Sequence, residues 1–270
     1  MASKAGSRLK PIPRNTLLYS ILIPAYNEEK NIIPTLETLA SKLREDGIPF
    51  ELLVVNDNST DNTAAVIQEK ALEIPEIHLV TNTPPGGLGR AIRCGLAHFN
   101  GDVLAVVMAD SSDHPDDVVR CYRKIEEGYD CVFGSRFRKG SKVTHYPPVK
   151  LVVNRIVNKA MQVLFMTHHN DLTNAFKVYR RHVIESILPL QAAHFNITIE
   201  MSLSSLIRRH RIADVPITWS GRTWGVSNLR LRKMGRRYLC TLLMIWCERL
   251  LILDDLLMES KGPVGEESET

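Results

Sequence analysis

The chain alternates between short apolar runs and longer segments whose apolar positions recur at helical spacing. Three runs dominate the first half: Ser20-Ile21-Leu22-Ile23, Leu52-Leu53-Val54-Val55 and Val103-Leu104-Ala105-Val106-Val107. Nearly continuous apolar strands separated by helices are the pattern of a parallel sheet covered on both faces. Each run enters a polar, carboxylate-bearing loop: Pro24-Ala25-Tyr26-Asn27-Glu28-Glu29, Asn56-Asp57-Asn58-Ser59-Thr60-Asp61 and Met108-Ala109-Asp110-Ser111-Ser112-Asp113-His114-Pro115. In such a sheet the strand C-termini open on one edge, where ligands bind. Glu28, Asp57 and Asp110 are therefore expected in one crevice, suited to a metal-bound nucleotide.

The rest of the first half keeps the alternation. Helices are expected over about 30–44 and 63–72, after the glycines at 86–89, and from Pro115; short strands are expected at 78–80 and 131–134. In the second half the pattern predicts helices over 151–166, 198–209 and 238–258, a strand over 212–217, and a loop leading into a strand over 171–179. The apolar stretch Tyr238 to Cys247 is about half the length a bilayer span needs, so no transmembrane helix is expected. The segment at 238–258 is instead expected to be an amphipathic, membrane-facing helix.

The organisation that follows is a flexible tail (1–16), a catalytic domain (17–237) with a nucleotide half to about 135 and an acceptor half from about 136, then the C-terminal helix and an acidic tail (259–270). The basic N-terminus has no apolar core of the kind a signal peptide requires.

Charge changes the picture more than composition does. The net charge of +4 hides an asymmetry: residues 1–135 carry 13 Lys+Arg against 19 Asp+Glu, residues 136–237 carry 19 against 4, and residues 238–270 carry 2 against 7. The nets are −6, +15 and −5. A basic block of that size faces something anionic: nucleic acid, a phosphorylated substrate or a membrane surface. No recognised nucleic-acid motif or interleaved aromatic surface accompanies it, which argues against nucleic acid. Five cysteines without C-x-x-C spacing fit neither a zinc site nor a disulfide framework, and point to a reducing cytoplasm.

Asp110 is the foremost metal-ligand candidate, because Mg²⁺ or Mn²⁺ takes carboxylate oxygen and completes its shell with substrate phosphates and water. Asp113, just before His114-Pro115, reads as a helix N-cap ahead of a metal ligand, and His114 as a capping or packing residue. Asp57 can accept from a base N–H. Gly86-Gly87-Leu88-Gly89 either lets backbone approach a diphosphate beside Arg90 or Arg93, or is a plain turn before a helix.

Pro24-Ala25-Tyr26-Asn27-Glu28, Val54-Val55-Asn56-Asp57-Asn58-Ser59-Thr60-Asp61 and Gly87-Leu88-Gly89-Arg90-Ala91 resemble the opening of a family-2 glycosyltransferase of the GT-A fold. Gly134-Ser135-Arg136-Phe137, the segment Asp171 to Arg180, Asp214-Val215-Pro216-Ile217 and the segment Arg222 to Asn228 are similar, in order, to the dolichyl-phosphate mannose synthase branch. The resemblance implies a Rossmann-like, mainly parallel α/β sheet with helices on both faces. It implies that Pro24, Ala25, Tyr26, Glu28, Val55 and Ala109 line the nucleotide pocket, with Asp57 on the base. It gives Asp110 the metal and diphosphate, with Ser112 beside it on the metal, and Ser135, Arg136 and Arg222 the phosphates. The chain departs from the branch in having Met108 for the first Asp of Asp-Ala-Asp, Asn56 for the first Asp of Asp-Asp, and Asn228 for a Lys.

A hydroxyl acceptor needs a general base, whereas a lipid monophosphate is already largely dianionic at neutral pH. Only Asp171, Glu185, Glu200 and Asp214 are acidic between Arg136 and Arg237. Of these Glu200 is the one best placed by the sequence to serve as a base. Together with the resemblance, which implies mannose from GDP-mannose and a polyprenyl phosphate, this makes the expected function inverting transfer of a hexose, mannose from GDP-mannose foremost, to a polyprenyl phosphate by a peripheral protein on the cytoplasmic membrane face. The alternatives are a UDP-hexose donor, a non-lipid acceptor, or a non-catalytic nucleotide-sugar binder.

Overall fold

A computed structural model describes residues 17–221 and 231–260, and their side chains except at 231–234 and 253–260. The expected tail at 1–16, most of the acidic tail, and Arg222 lie outside the described residues.

The elements run β1 (Tyr19–Ala25), α1 (Ile32–Glu45), β2 (Phe50–Asn56), α2 (Thr63–Glu73), β3 (Ile77–Thr81), α3 (Leu88–Leu96), β4 (Val103–Val106), α4 (Pro115–Glu126) and β5 (Cys131–Ser135). The second half continues with β6 (Lys142–Thr144), α5 (Pro148–Leu164), β7 (Lys177–Arg180), α6 (Arg181–Ile187), α7 (Ile197–Ile207), β8 (Ile212–Pro216), β9 (Thr218–Ser220) and α8 (Leu231–Ser260). Seven strands form one sheet in the order β3-β2-β1-β4-β7-β5-β8, and β6 pairs with β9 in a small second sheet. All pairings in the large sheet are parallel except those of β7, which is antiparallel to both β4 and β5.

Both faces of the sheet are buried, which is why its strands read as apolar runs. Ile21 and Ile23 pack with Leu36, Leu39 and Val118 of α1 and α4. Leu22, Leu53 and Val55, on the opposite face, pack with Ile92 of α3, Met161 of α5 and Ile199 and Leu203 of α7. Among the described residues no helix is long and apolar enough to cross a membrane.

The register sets the crevice. Ala25 ends β1 opposite Asn56, and Leu22 lies opposite Val106, so the loops after β2, β1 and β4 leave three adjacent strands on one edge. Between β1 and β4 the strand order reverses, the position where open α/β sheets bind ligands.

Candidate active site

The loops after β1 and β2 are stitched together by side chains. Asn27 N–H donates to Ser59 Oγ at 3.1 Å, and Thr60 N–H donates back to Asn27 Oδ1 at 2.8 Å. Glu28 N–H donates to Thr63 Oγ1, while Asn62 N–H donates to the Glu29 carboxylate. Asn27 and Asn58 take left-handed backbone (φ 55° and 62°), a conformation asparagine tolerates better than most residues. Pro24, Ala25 and Val55 are buried strand residues, and the buried Glu28 accepts from Asn31 Nδ2 at 2.7 Å. Tyr26 is 45% exposed at the strand edge.

Asp57 is buried at the end of β2. Its Oδ1 accepts from Asn82 Nδ2 and its Oδ2 from Gly87 N–H, both at 2.7 Å. A carboxylate has about four acceptor positions, so each oxygen can still receive a base N–H. The glycines after it permit a close approach of two backbones. A Cβ at Gly87 would stand 2.4 Å from the Ala193 carbonyl oxygen, and one at Gly89 2.3 Å from that of Ala192. Gly87 also has φ 145°. They let the start of α3 lie against the backbone of 192–194.

That backbone is held in turn by Glu200. Its two oxygens accept from Gln191 N–H and Ala192 N–H, both at 2.7 Å, and burial pushes its pKa up. Glu200, the base candidate if the acceptor were a hydroxyl, is thus a clamp, and the chain of contacts runs Glu200, 191–194, glycine turn, Asp57.

Asp110 sits half-buried past the end of β4, its Oδ1 accepting from Ser112 N–H at 3.2 Å. Ala109, buried, gives its carbonyl to Thr35 Oγ1, and the carbonyl of the buried Ser112 accepts from Ser220 N–H. The N-cap expectation for Asp113 is corrected. His114 is the cap, its Nδ1 accepting from Asp116 N–H at 3.3 Å. Asp113 instead turns inward and closes the loop by accepting from Met108 N–H at 3.1 Å. Burial, with the nearby Asp110 adding to it, raises the Asp113 carboxyl to about 7. Met108 offers a soft thioether, so the donors that suit a hard cation here are Asp110, the Ser112 hydroxyl and oxygens brought by a substrate.

On the acceptor side, Ser135 ends β5 and Arg136 follows it. Ser135 Oγ donates to Asn170 Oδ1 at 2.6 Å and accepts from Phe137 N–H. Arg136 is buried against Asp171, with its backbone N–H, Nε and Nη2 all donating to that carboxylate at 2.8–2.9 Å. Its charge is therefore already paired, a partner the sequence motif does not reveal. The guanidinium lies over Phe137, Tyr146 and Trp219, and Nη1 makes a long 3.4 Å contact with the Tyr146 hydroxyl. Arg136, Phe137, Val143, His145, Tyr146 and Leu151 line a cleft of about 470 Å³.

Lys177, within the segment Asp171 to Arg180, has no role that the sequence pattern suggests. It is 1% exposed, donates to the carbonyls of Leu172 and Asn174, and lies over the Phe133 ring. Burial lowers its pKa to about 7.

Residues 20–188 match the family model described as Glycosyl transferase family 2. The chain is 29% identical to the polyprenol monophosphomannose synthase of Mycolicibacterium smegmatis over 77% of this chain and 80% of that protein. It is 31% identical to an undecaprenyl-phosphate 4-deoxy-4-formamido-L-arabinose transferase of Shewanella sediminis, and 28% identical to a dolichol-phosphate mannosyltransferase of Pyrococcus furiosus. These two alignments cover 79% and 78% of this chain but 62% and 59% of the relatives. Among solved structures, glucosyl-3-phosphoglycerate synthase of Mycobacterium tuberculosis, in complex with Mn²⁺, UDP and phosphoglyceric acid, superposes with a TM-score of 0.65 at 22% identity. The match covers 85% of this chain and 78% of that one, and it shows a shared fold.

The buried amine of Lys177 gives a pH prediction. Between about 7 and the ordinary lysine value of 10.5 the unfolded chain binds the proton and the folded chain does not, so stability rises with pH across that window. Lys177→Met should abolish that slope and cost roughly 1–3 kcal/mol by leaving two carbonyls unpaired. Denaturant titrations at pH about 7 and about 9.5 measure both. Equal slopes in the two proteins would contradict the assignment.

Proposed function

The chain belongs to glycosyl transferase family 2 and is a glycosyltransferase with the GT-A fold, and on that footing we propose that it transfers a hexose to a polyprenyl phosphate. Mannose from GDP-mannose is the favoured donor, and the cytoplasmic face of a membrane the favoured place. Two of the similar proteins carry mannose in their names with a polyprenol or dolichol phosphate.

One observation carries the acceptor assignment. Asp171 is paired with Arg136, Glu200 with two backbone N–H groups, and Asp214 with Arg138 and His169. Glu185 lies on α6, which begins where β7 ends, opposite the start of β4 and so on the far rim from the crevice. The acidic groups of the acceptor half are thus committed or distant, which suits an acceptor that needs no base. A phosphate oxygen attacks the anomeric carbon, the bond to the departing diphosphate breaks, and the configuration inverts.

On this reading Tyr26 offers its exposed ring to the base and Asp57 accepts a base N–H, with Pro24, Ala25, Glu28, Val55 and Ala109 shaping the pocket floor. Asp110 and Ser112 would hold Mg²⁺ or Mn²⁺, which when bound neutralises charge on the leaving nucleotide. Ser135, Arg136 and Arg222 serve the acceptor phosphate, Arg136 in the orientation Asp171 imposes. A second reading, transfer to a hydroxyl, would need a general base, and Asp113, buried close to Asp110 with its carboxyl pushed up by burial, is the carboxylate in question.

Membrane attachment rests on two apolar faces. Val149, Val152, Ile156 and Val163 of α5 are exposed, as are Leu239, Leu243, Leu250 and Leu251 of α8. Arg155, Lys159, Arg236 and Arg237 are exposed on the same helices. Apolar helical faces with interleaved cations bind anionic bilayers reversibly. Leu151 joins α5 to the cleft at Arg136, which would let a prenyl chain run from the cleft to the bilayer.

Three measurements test these parts separately. Calorimetric titration of GDP-mannose and UDP-glucose with and without Mn²⁺ should show metal-dependent donor binding that Asp110→Ala abolishes; equal affinity in both proteins would sink the metal role. For the acceptor, radiolabelled sugar is followed into organic-extractable polyprenyl phosphate. Asp113→Asn should retain transfer, with a rate that still climbs through pH about 6 as the acceptor becomes dianionic. A dead Asn variant, or a better rate with a free-sugar acceptor, favours the hydroxyl reading. Finally, in liposome flotation, Ile156→Glu and Leu243→Glu should weaken binding that is sensitive to both anionic lipid and salt; binding indifferent to all three would rule out this face.

A further inference from the structure

Two clusters outside the crevice bring three metal-type ligand atoms within 4.8 Å of one another: Asp130 with His182 and His210, and Asp214 with His168 and His169. The second is already filled. Asp214 accepts from Arg138 and from His169 Nδ1, and its carboxyl is held low despite its burial by those two partners. A cation there would have to displace an arginine. The first cluster is different, because its ligands come from three segments and Arg180, Arg181, Arg208 and Arg211 beside it are engaged elsewhere.

Backbone bonds place the three residues before any side chain contributes. Asp130, just before β5, donates its N–H to the Arg211 carbonyl and receives Arg180 N–H on its own carbonyl. Its Oδ2 accepts from Arg211 N–H at 2.8 Å. His182 lies two residues past Arg180, and His210 one residue before Arg211, so both imidazoles are carried to the same carboxylate. His182 Nε2 already stands 3.3 Å from Asp130 Oδ1, and the two imidazole rings are 5.8 Å apart.

His210 is also fixed in tautomer. Ser186 Oγ gives its hydrogen to the Val183 carbonyl at 2.7 Å, so the 2.8 Å bond between Ser186 Oγ and His210 Nε2 uses a hydrogen on the ring. The neutral ring then carries its lone pair on Nδ1, and a positioned neutral imidazole with its other nitrogen hydrogen-bonded is what metals take. Four nearby arginines are held elsewhere. Arg180 donates to the Tyr129 and Ile125 carbonyls, Arg181 to Gly101 and Phe99, Arg208 to Glu248, and Arg211 lies over the Tyr129 ring.

We propose that Asp130, His182 and His210 form a second metal site, for a Zn²⁺-class ion, on the sheet rim opposite the sugar-transfer crevice. Two imidazoles and one carboxylate suit Zn²⁺, Co²⁺ or Ni²⁺, whereas Mg²⁺ and Ca²⁺ prefer all-oxygen shells. Ligands at about 2.1 Å from such an ion lie roughly 3.0–3.5 Å apart, so side-chain rotations of a little over an ångström close the set, with water completing it. The bound ion would tie the α4–β5 turn, the head of α6 and the α7–β8 turn together, a structural clip remote from the chemistry.

The test uses the full chain without sugar nucleotide. Zn²⁺ titrated calorimetrically at neutral pH should bind one equivalent, and Co²⁺ should give visible absorption bands. His182→Ala and His210→Ala should each weaken binding more than about tenfold and erase the bands. Asp110→Ala and His168→Ala should leave both unchanged. Wild-type protein that binds no Zn²⁺, histidine variants that bind as wild type does, or binding lost with Asp110→Ala or His168→Ala would each overturn the site. Because no donor or acceptor is present, failure here is distinct from failure of the glycosyltransferase reading.

Discussion

The buried pair of Arg136 and Asp171 holds the chain leaving β5 against the segment that leads into β7. Their side chains are 8% and 1% exposed, and 35 residues separate them. Arg136 leaves β5 and Asp171 leads toward β7, the strand that enters the sheet backwards between β4 and β5. Such a pair adds little net stability over an apolar substitute, but removing one partner strands a buried charge at about 3–5 kcal/mol. Its value here is geometric. Thr173 and Asn158 extend the network to α5, since Asn158 Oδ1 accepts from Leu172 N–H and Asn158 Nδ2 donates to Thr173 Oγ1. Strand insertion, cleft wall and the exposed helix α5 thus share one electrostatic anchor.

The loops of the crevice are likewise held by polar partners. Loops that carry ligands usually run over the surface and move, yet here each is tied to a neighbour by side chain to backbone bonds. The loop after β1 holds the loop after β2, Asp57 holds the glycine turn, and Glu200 holds the segment on which that turn rests. Preorganised acceptors and donors of this kind cost little reorganisation when charge develops on a leaving group. The acidic residues therefore divide into two jobs: Asp171, Glu200 and Asp214 build the scaffold, while Asp57 and Asp110 also remain at the strand ends where a nucleotide would lie.

What could be seen in the sequence was whatever depends on local pattern. The strands β1, β2 and β4 are legible because burial on both faces leaves no polar alternation to blur them. The direction of β7 was not, since Lys177-Val178-Tyr179-Arg180 carries charged ends whose satisfaction comes from distant carbonyls of Leu172, Tyr129 and Ile125. The three-residue strands β6 and β9 and the seven-residue α6 are too short to show a period. Roles fixed by backbone partners were hidden for the same reason. Nothing in the composition around Glu200 says that it faces two N–H groups eight and nine residues earlier, and a Pro115 helix start is equally compatible with a cap from Asp113 or from His114.

The charge layout acquires its meaning from these partners. The nucleotide half has an excess of acid, which is an awkward property for a region that would receive a diphosphate. Several of its carboxylates sit in surface pairs away from the strand ends: Lys42 with Glu45, Arg44 with Glu76, Lys70 with Glu37 and Glu73, Arg123 with Glu126, Lys124 with Glu127. Exposed pairs of this kind are worth about 0–1 kcal/mol and do not shape the crevice field. At the strand ends, however, Asp110 and Asp113 lie close enough for Asp110 to raise the Asp113 carboxyl. A diphosphate arriving there adds like charge to a site already resisting it. Compensation has to come from a divalent cation on Asp110, from protonation of Asp113, or from the basic half across the cleft. On the proposed reading all three sources meet at one point, because Arg136 also acts on Asp113 through space. Donor binding and acceptor binding would then be coupled through the same few charges, with the Arg136–Asp171 pair setting their distance.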